Sequence, residues 1–418
     1  MRILELTEGR AARLLAARRE RDRAAERVAA RIVADVRRRG DAALISWTRR
    51  LDGATGGAAR GIWVAPGEFQ QARREAGPAL LRAIEHAARN IRRVAERQKP
   101  ASWNLQVEPG VRVGQLVRPL DTVGCYVPGG RFALVSSLLM TVVPAQVAGV
   151  RRIVVACPRP NAAVLAAAEF LGVREVARIG GAQAIAALAY GTRTVPRVEK
   201  ICGPGNRFVT AAKRLVSEDC AIDLLAGPTE LLVVAARGNV RFIAADVLAQ
   251  AEHDPDAVAL VATTSRRFAR VLAAEIERQR ALLPRSNPVH RALARHGAIL
   301  LARGLTEAVT FANRFAPEHL SLPGGEPNVL ARVASAGSIF LGPWSAQPLG
   351  DYATGSNHTL PTGARALQRG GLSAADFVKC LAVQQVSRRG FQRLAPVARA
   401  LAEAESLTAH ARAVEARR

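Results

Sequence analysis

The sequence predicts an α/β fold: two domains built on parallel sheets, with an N-terminal helical segment and a C-terminal helical tail. Three features predict it. From residue 122 onward, short apolar runs alternate with helical stretches, the pattern of strands joined by crossover helices. The alternation comes in two series, each long enough for a Rossmann-like half. The regions before residue 100 and after residue 374 carry only helical periodicity. At 418 residues the chain has room for two or three domains.

From about Arg10 to Arg39, alanine and leucine recur at helical spacing between charges, and Arg37-Arg38-Arg39 before Gly40 reads as a helix C-terminus. A second helical stretch, Glu68 to Arg97, is closed by Lys99-Pro100. The first strand series is Thr122–Val127, Arg152–Ala156, Val176–Ile179, Lys200–Cys202 and Ile222–Leu225. The second is Glu230–Ala235, Ala257–Ala262, Ala298–Ala302 and Ser338–Leu341. From Ala374 the pattern is helical to Arg418. The expected partition is a helical extension (1–20), a discontinuous first Rossmann-like domain (21–126 with 229–372), a second one (127–228) and the tail (373–418).

Apolar residues make up 49% and charged residues 23%, a globular balance that excludes a disordered chain. The net charge of +25 suggests a polyanionic partner at first sight. Only Lys99, Lys200, Lys213 and Lys379 are lysine; the other 56 basic residues are arginine, spread along the whole chain. Their densest run, Arg18-Arg19-Glu20-Arg21-Asp22-Arg23, is interleaved with acids and belongs to no nucleic-acid-reading module, so no nucleic-acid partner is expected. The five cysteines are scattered without a C-x-x-C pair, which argues against disulfides or a thiolate zinc site. The start lacks a signal-peptide core and no apolar run reaches membrane-spanning length, so a soluble, cytoplasmic protein is expected.

Four of the seven histidines lie in dense polar segments; His86, His290 and His296 read as surface residues. Gln250 and His253 are i and i+3 at the end of the helical stretch Phe242–Glu252, one face of a helix, able to ligate a metal or simply to meet solvent. Pro317-Glu318-His319 follows a predicted helix, Thr306–Phe315. On a turn, carboxylate and imidazole both reach one cleft as acid and base, although for the pair on its own a helix-capping histidine is the simpler reading. Gly350-Asp351-Tyr352 to Asn357-His358 is a glycine-punctuated loop. Glu405 and His410 are five apart, a poor same-face spacing. Cys125-Tyr126-Val127-Pro128-Gly129-Gly130 and Gly203-Pro204-Gly205-Asn206 each lie between strand and helix, where backbone amides approach phosphate; neither is a clean dinucleotide fingerprint.

In order, these segments resemble histidinol dehydrogenases. The resemblance runs from about residue 10 to the end, through Gly124-Cys125-Tyr126, the Gly180–Thr192 segment with Gln183, Gly203–Asn206, Ala226-Gly227-Pro228-Thr229-Glu230, Gln250–His253, Ala316–His319, Gly350-Asp351-Tyr352, Asn357–Thr362 and Leu407-Thr408-Ala409-His410. It implies oxidation of L-histidinol to L-histidine in two NAD-dependent steps through L-histidinaldehyde, the final step of histidine biosynthesis. It also implies a homodimer with intertwined C-terminal tails. By resemblance, Gln250, His253, Asp351 and His410 hold one zinc ion per subunit, His410 coming from the partner subunit. His319 matches the base for the alcohol and Glu318 the base that activates water. Tyr126, Gln183 and Asn206 match NAD contacts in the second domain. Thr229, Gln250, His253, His319, Asp351, Glu405 and His410 match substrate contacts, with Ser136 and His358 lining the site.

Thr229 stands where the family commonly has serine, Ser406 where it has glycine, and Arg207 where an uncharged residue is expected, which suggests an added phosphate contact. Ser345-Ala346-Gln347 replaces a usual Thr-Pro-Glu, losing a carboxylate near Asp351. The alternative reading is a paralogous zinc- and NAD-dependent dehydrogenase acting on another alcohol, such as a sulfonated diol. The complete Glu405-to-His410 ending favours histidinol.

Overall fold

The computed structural model describes residues 1–18, 22–52, 61–129, 134–325 and 327–417. Arg19-Glu20-Arg21 of the densest charged run, and Gly130 and Arg131 beside the first glycine turn, lie outside the described residues. The chain opens on a strand, β1 (Arg2–Glu5), where only helix is expected for residues 1–20. The expected 10–39 helix is two, α1 (Glu8–Ala16) and α2 (Arg23–Arg39). The Thr7 and Asp22 side chains accept backbone N–H groups of the first turns, so each helix has its own cap within one continuous apolar rhythm. After α3 (Asp41–Asp52), α4 (Pro66–Gln98) breaks at Gly77, whose φ of 70° precedes Pro78.

β2 (Trp103–Glu108) and β3 (Val111–Pro119) form an antiparallel hairpin that alternation did not reveal, because most of its side chains are exposed on both faces. There follow β4 (Thr122–Tyr126), α5 (Val135–Ala148), β5 (Arg152–Ala156), α6 (Ala162–Phe170), β6 (Val176–Ala177), α7 (Gly181–Tyr190), β7 (Lys200–Cys202), α8 (Arg207–Val216) and β8 (Ala221–Ile222). These strands form an all-parallel sheet in the order β6-β5-β4-β7-β8. From Ala182 to Ala189 every residue of α7 is buried. A helix apolar all round needs cover on every side.

The second series is β9 (Glu230–Val234), α9 (Val240–Glu252), β10 (Val258–Thr263), α10 (Arg266–Arg280), α11 (Val289–His296), β11 (Gly297–Leu301), α12 (Leu305–Phe315), β12 (His319–Leu322), α13 (Pro327–Leu330), β13 (Ser338–Leu341) and α14 (Gln347–Tyr352). With β1 at one edge they form a parallel six-stranded sheet, β1-β11-β10-β9-β12-β13. The expected Rossmann-like α/β class with two parallel sheets is therefore present. Residues 373–418 are not wholly helical: β14 (Val378–Val386) pairs antiparallel with β3 before α15 (Arg388–Ala404) and α16 (Thr408–Glu415). Every residue of β14 after Val378 is exposed, so it has no burial rhythm to read.

The elements also group differently from the expected partition. Within 21–126, α2 shares a core with α7 and α8, α4 packs on α5 and α6, and β4 is the middle strand of the five-stranded sheet. Periodicity shows that α2 has an apolar face but not which sheet covers it. Among the described residues no helix is long and apolar enough to cross a membrane.

One buried ion pair pins the turn after β7. Lys213 and Asp223 bond to each other; the Lys213 ammonium donates to Gly203 O (2.9 Å) and the Gly203 N–H donates to Asp223 Oδ2 (2.7 Å). Their side chains are 3% and 0% exposed. Lys213→Met is expected to cost about 3–5 kcal/mol, because it leaves a buried carboxylate unpaired. Adding Asp223→Leu should recover part of that loss; urea-unfolding midpoints check both.

Candidate active site

Pro128 follows β4, and Pro204 and Gly205 follow β7, so the carboxyl ends of the five-stranded sheet supply one wall of a cleft of about 2620 Å³. The other wall comes from the opposite polarity: Thr229 precedes β9, and His253 caps α9 ahead of β10. The cleft is lined by Pro204, Asn206, Thr229, His253 and Asp351, among others.

Behind Thr229 lies a buried polar cluster. Glu318 immediately precedes β12 and His319 is its first residue, so the pair sits on a strand and not on the expected turn. The αL conformation of Ala316 (φ 46°) stops α12 and turns the chain into this strand. Glu318 Oε2 accepts from the Thr229 hydroxyl and from the Glu230 N–H (2.9 Å). The Gln250 amide donates to Thr229 Oγ1, leaving Gln250 Oε1 buried without a partner. His319 is 4% exposed, and neither ring nitrogen has a hydrogen-bond partner. Its Nδ1 lies 3.6 Å from Glu318 Oε2 and its Nε2 3.9 Å from Asp351 Oδ1. Burial pushes the Glu318 carboxyl up to about 8, against the pull of the Thr229 and Glu230 donors. It drives the His319 imidazole down to about 4.

Asp351 lies on α14, a helix where a loop is expected. Its Oδ2 is 3.8 Å from His253 Nε2 and its Oδ1 4.0 Å from His358 Nδ1, which also contacts the Asp351 carbonyl at 3.1 Å. Gln347, one turn earlier, donates from Nε2 to Asp351 Oδ2 at 2.6 Å. So the position that lost a carboxylate holds Asp351 through an amide. Its i, i+4 spacing from Asp351 was the available signal. The half-buried Asp246, pushed up to about 6 by desolvation, accepts from the Gln347 N–H at 3.4 Å.

Glu318, His319, Gln250, Thr229, Asp351, His253 and His358 are thus brought together. Glu405 and His410 are not: both are exposed on the tail, and neither side chain bonds to the cluster. Ser406 between them has φ 59°, the backbone a glycine adopts without strain. Ser136 is half-buried at the start of α5. Arg207 pairs with Asp22 (3.0 Å) and stacks over Phe208.

The NAD candidates surround the glycine turns. The Tyr126 hydroxyl accepts from the Gly181 N–H (3.1 Å), Gln183 Oε1 is buried without a partner, and Asn206 caps α8. Gly203 has φ 112° and no room for a Cβ, which would meet Tyr126 O at 2.1 Å. A turn this tight, an orphaned acceptor and a helix N-terminus fit a dinucleotide.

For a metal, no group of three or more His, Cys, Asp or Glu converges among the described residues. The donors nonetheless fit a divalent ion that prefers nitrogen and oxygen. His253 Nε2 and Asp351 Oδ2 are separated by 3.8 Å, compatible with two bonds of about 2 Å to one ion, and the orphaned Gln250 Oε1 is a third donor.

A profile of the family described as Histidinol dehydrogenase matches residues 15–418. The histidinol dehydrogenase of Geobacter metallireducens is 44% identical over 412 residues, 97% of this chain and 94% of that protein. That of Geobacillus kaustophilus is 47% identical over 396 residues, 92% of each. The crystal structure of histidinol dehydrogenase from Elizabethkingia anophelis matches with a TM-score of 0.92 at 34% identity, over 100% of this chain and 98% of that one.

Thr229→Val deprives Glu318 of a donor and the Gln250 amide of its acceptor. It is expected to lower stability by about 1–3 kcal/mol, and Thr229→Ser by much less. Urea unfolding of the two variants checks this.

Proposed function

The chain belongs to the histidinol dehydrogenase family, and we propose that it oxidises L-histidinol to L-histidine in two NAD-dependent steps through L-histidinaldehyde. The observation that carries this reading is one buried cluster: an imidazole with two unpartnered nitrogens, beside a carboxyl and next to an incomplete nitrogen–oxygen donor set. The relatives compared are named for histidinol, and no observation favours the paralogue acting on another alcohol.

Gln250, His253 and Asp351 would hold zinc together with His410 of the partner subunit; Tyr126, Gln183 and Asn206 would contact NAD. When bound, NAD accepts hydride in each oxidation, and the ion supplies positive charge that orients the substrate. His319 takes the hydroxyl proton as the alcohol becomes the aldehyde. Glu318 takes a proton from the water that adds to the aldehyde carbon, and the hydrate is then oxidised to the carboxylate. Thr229, His358 and Ser136 line the substrate, and Glu405 from the tail meets its amino group. The five-stranded half serves the cofactor and the six-stranded half the acid–base chemistry.

A homodimer with intertwined tails explains why His410 and Glu405 are far from the cluster in one chain. The β2–β3–β14 sheet and α15 expose Trp103, Leu105, Leu381, Val383, Val397 and Leu401, an apolar area that a second copy covers. Such an enzyme works in the cytoplasm, where its substrate and NAD are found.

Purified protein supplied with zinc is expected to reduce about two NAD per histidinol consumed, as four-electron oxidation requires, and to stop on chelation. NADH absorbance against histidine formed measures it; one NAD per substrate would overturn the two-step reading. His319→Asn should lose at least about 100-fold in turnover while retaining zinc by equilibrium dialysis, as expected for a proton acceptor that is not a ligand.

A further inference from the structure

Arg18 lies in the most highly charged run of the sequence, yet its side chain is only 5% exposed. The guanidinium grips Glu230 with two bonds: Nε donates to Oε1 at 2.7 Å and Nη2 donates to Oε2. Its third arm, Nη1, donates to the Phe315 carbonyl, and its carbon sits 3.6 Å from the centroid of the Phe315 ring. These two partners begin the two segments that meet at Glu318. Glu230 opens β9, and its own N–H donates to Glu318 Oε2. Phe315 ends α12, and three residues later the chain delivers Glu318 through the αL turn at Ala316. Glu230 Oε1 also accepts the Gly363 N–H at 3.1 Å, tying a third segment to the same pair.

We propose that Arg18 is a positioning residue for Glu318. Its planar fork fixes the donor that aims the Glu318 carboxyl and the backbone that carries it, and it neutralises a second buried carboxylate beside it. A lysine ammonium keeps the charge but has no fork to span both partners. His319 is held differently: it is fixed in the ladder between β9 and β13, and neither Arg18 nor Phe315 bonds to its ring. The step that depends on Glu318 therefore suffers when Arg18 is changed, and the step that depends on His319 suffers far less. This rests on the roles given above to Glu318 and His319.

The test separates the two oxidations in the zinc-loaded enzyme, using histidinol for the first hydride transfer in single turnover and histidinaldehyde for the second. Arg18→Lys is expected to slow histidinaldehyde oxidation about 10- to 100-fold, the effect of misplacing a reacting group by a fraction of an ångström to one ångström. The first hydride transfer and the NAD affinity should change less than about threefold, because the bonds Arg18 makes go to Glu230 and Phe315 and not to His319 or the NAD candidates. Equal losses in both steps, or no loss in the second, overturn the proposal. Glu318→Gln is the control. If it spares histidinaldehyde oxidation, the role given to Glu318 falls; if it shows the selective loss and Arg18→Lys does not, only the Arg18 inference falls. Should Arg18→Lys not fold, Arg18→Met with Glu230→Met, which removes both charges and keeps apolar bulk, must show the same selective loss. Failure of both variants to fold assigns the pair to stability alone and also overturns the proposal.

Discussion

The structure is organised around the cost of burying too many polar groups in one place. Glu318, His319, Asp351 and Gln250 are all at least nine-tenths buried, and several of their atoms have no partner. Each such atom costs free energy that a flexible loop would shed by turning toward water. They stay inside because they stand on elements that cannot turn. Glu318 and His319 are locked at the start of a strand flanked on both sides by others, and Asp351 and Gln250 lie on helices packed together. The unsatisfied atoms are therefore held in place behind Thr229 and Asp351, which line the cleft.

Opposed sheet polarity makes such a cleft. In a single doubly wound sheet, ligands gather at the carboxyl ends of the strands. In the five-stranded sheet those ends carry Tyr126, which closes β4, and Gly181 and Gly203, which follow β6 and β7. The six-stranded sheet contributes its amino ends instead, Thr229–Glu230 and Glu318–His319. Glycine turns are thus set opposite acid–base groups without any long loop between them. The segment 223–229 is the short bridge from one sheet to the other.

Much of this was legible in the residues. Buried parallel strands read as apolar runs, and the central strands of both sheets, β12 excepted, lie within a residue or two of their expected positions. The polar segments around His253, Glu318-His319 and Asp351 stood out because histidine and carboxylate rarely sit together in otherwise apolar stretches. What escaped was set by contacts distant in sequence. β2, β3 and β14 are exposed on both faces and carry no periodic signature. α2 was assigned to the wrong sheet, because an apolar stripe does not name its partner. Arg18 read as surface charge, and only the fold reveals a carboxylate 212 residues away as its counterpart. Gln347 was noticed as a departure, but its hydrogen bond to Asp351 required the helix α14.

The edge strand β1 has a consequence for how the chain is made. Arg2–Glu5 pair with Ala298–Leu301, so β1 is made ahead of β2–β10, and all of them follow before its partner appears. At about 5–20 residues per second on the ribosome, those few residues wait roughly 15–60 s for their partner. The five-stranded sheet, closed by residue 222, has all its strands long before then. β1 thus stays unpaired while the strands of a whole sheet are already available to one another.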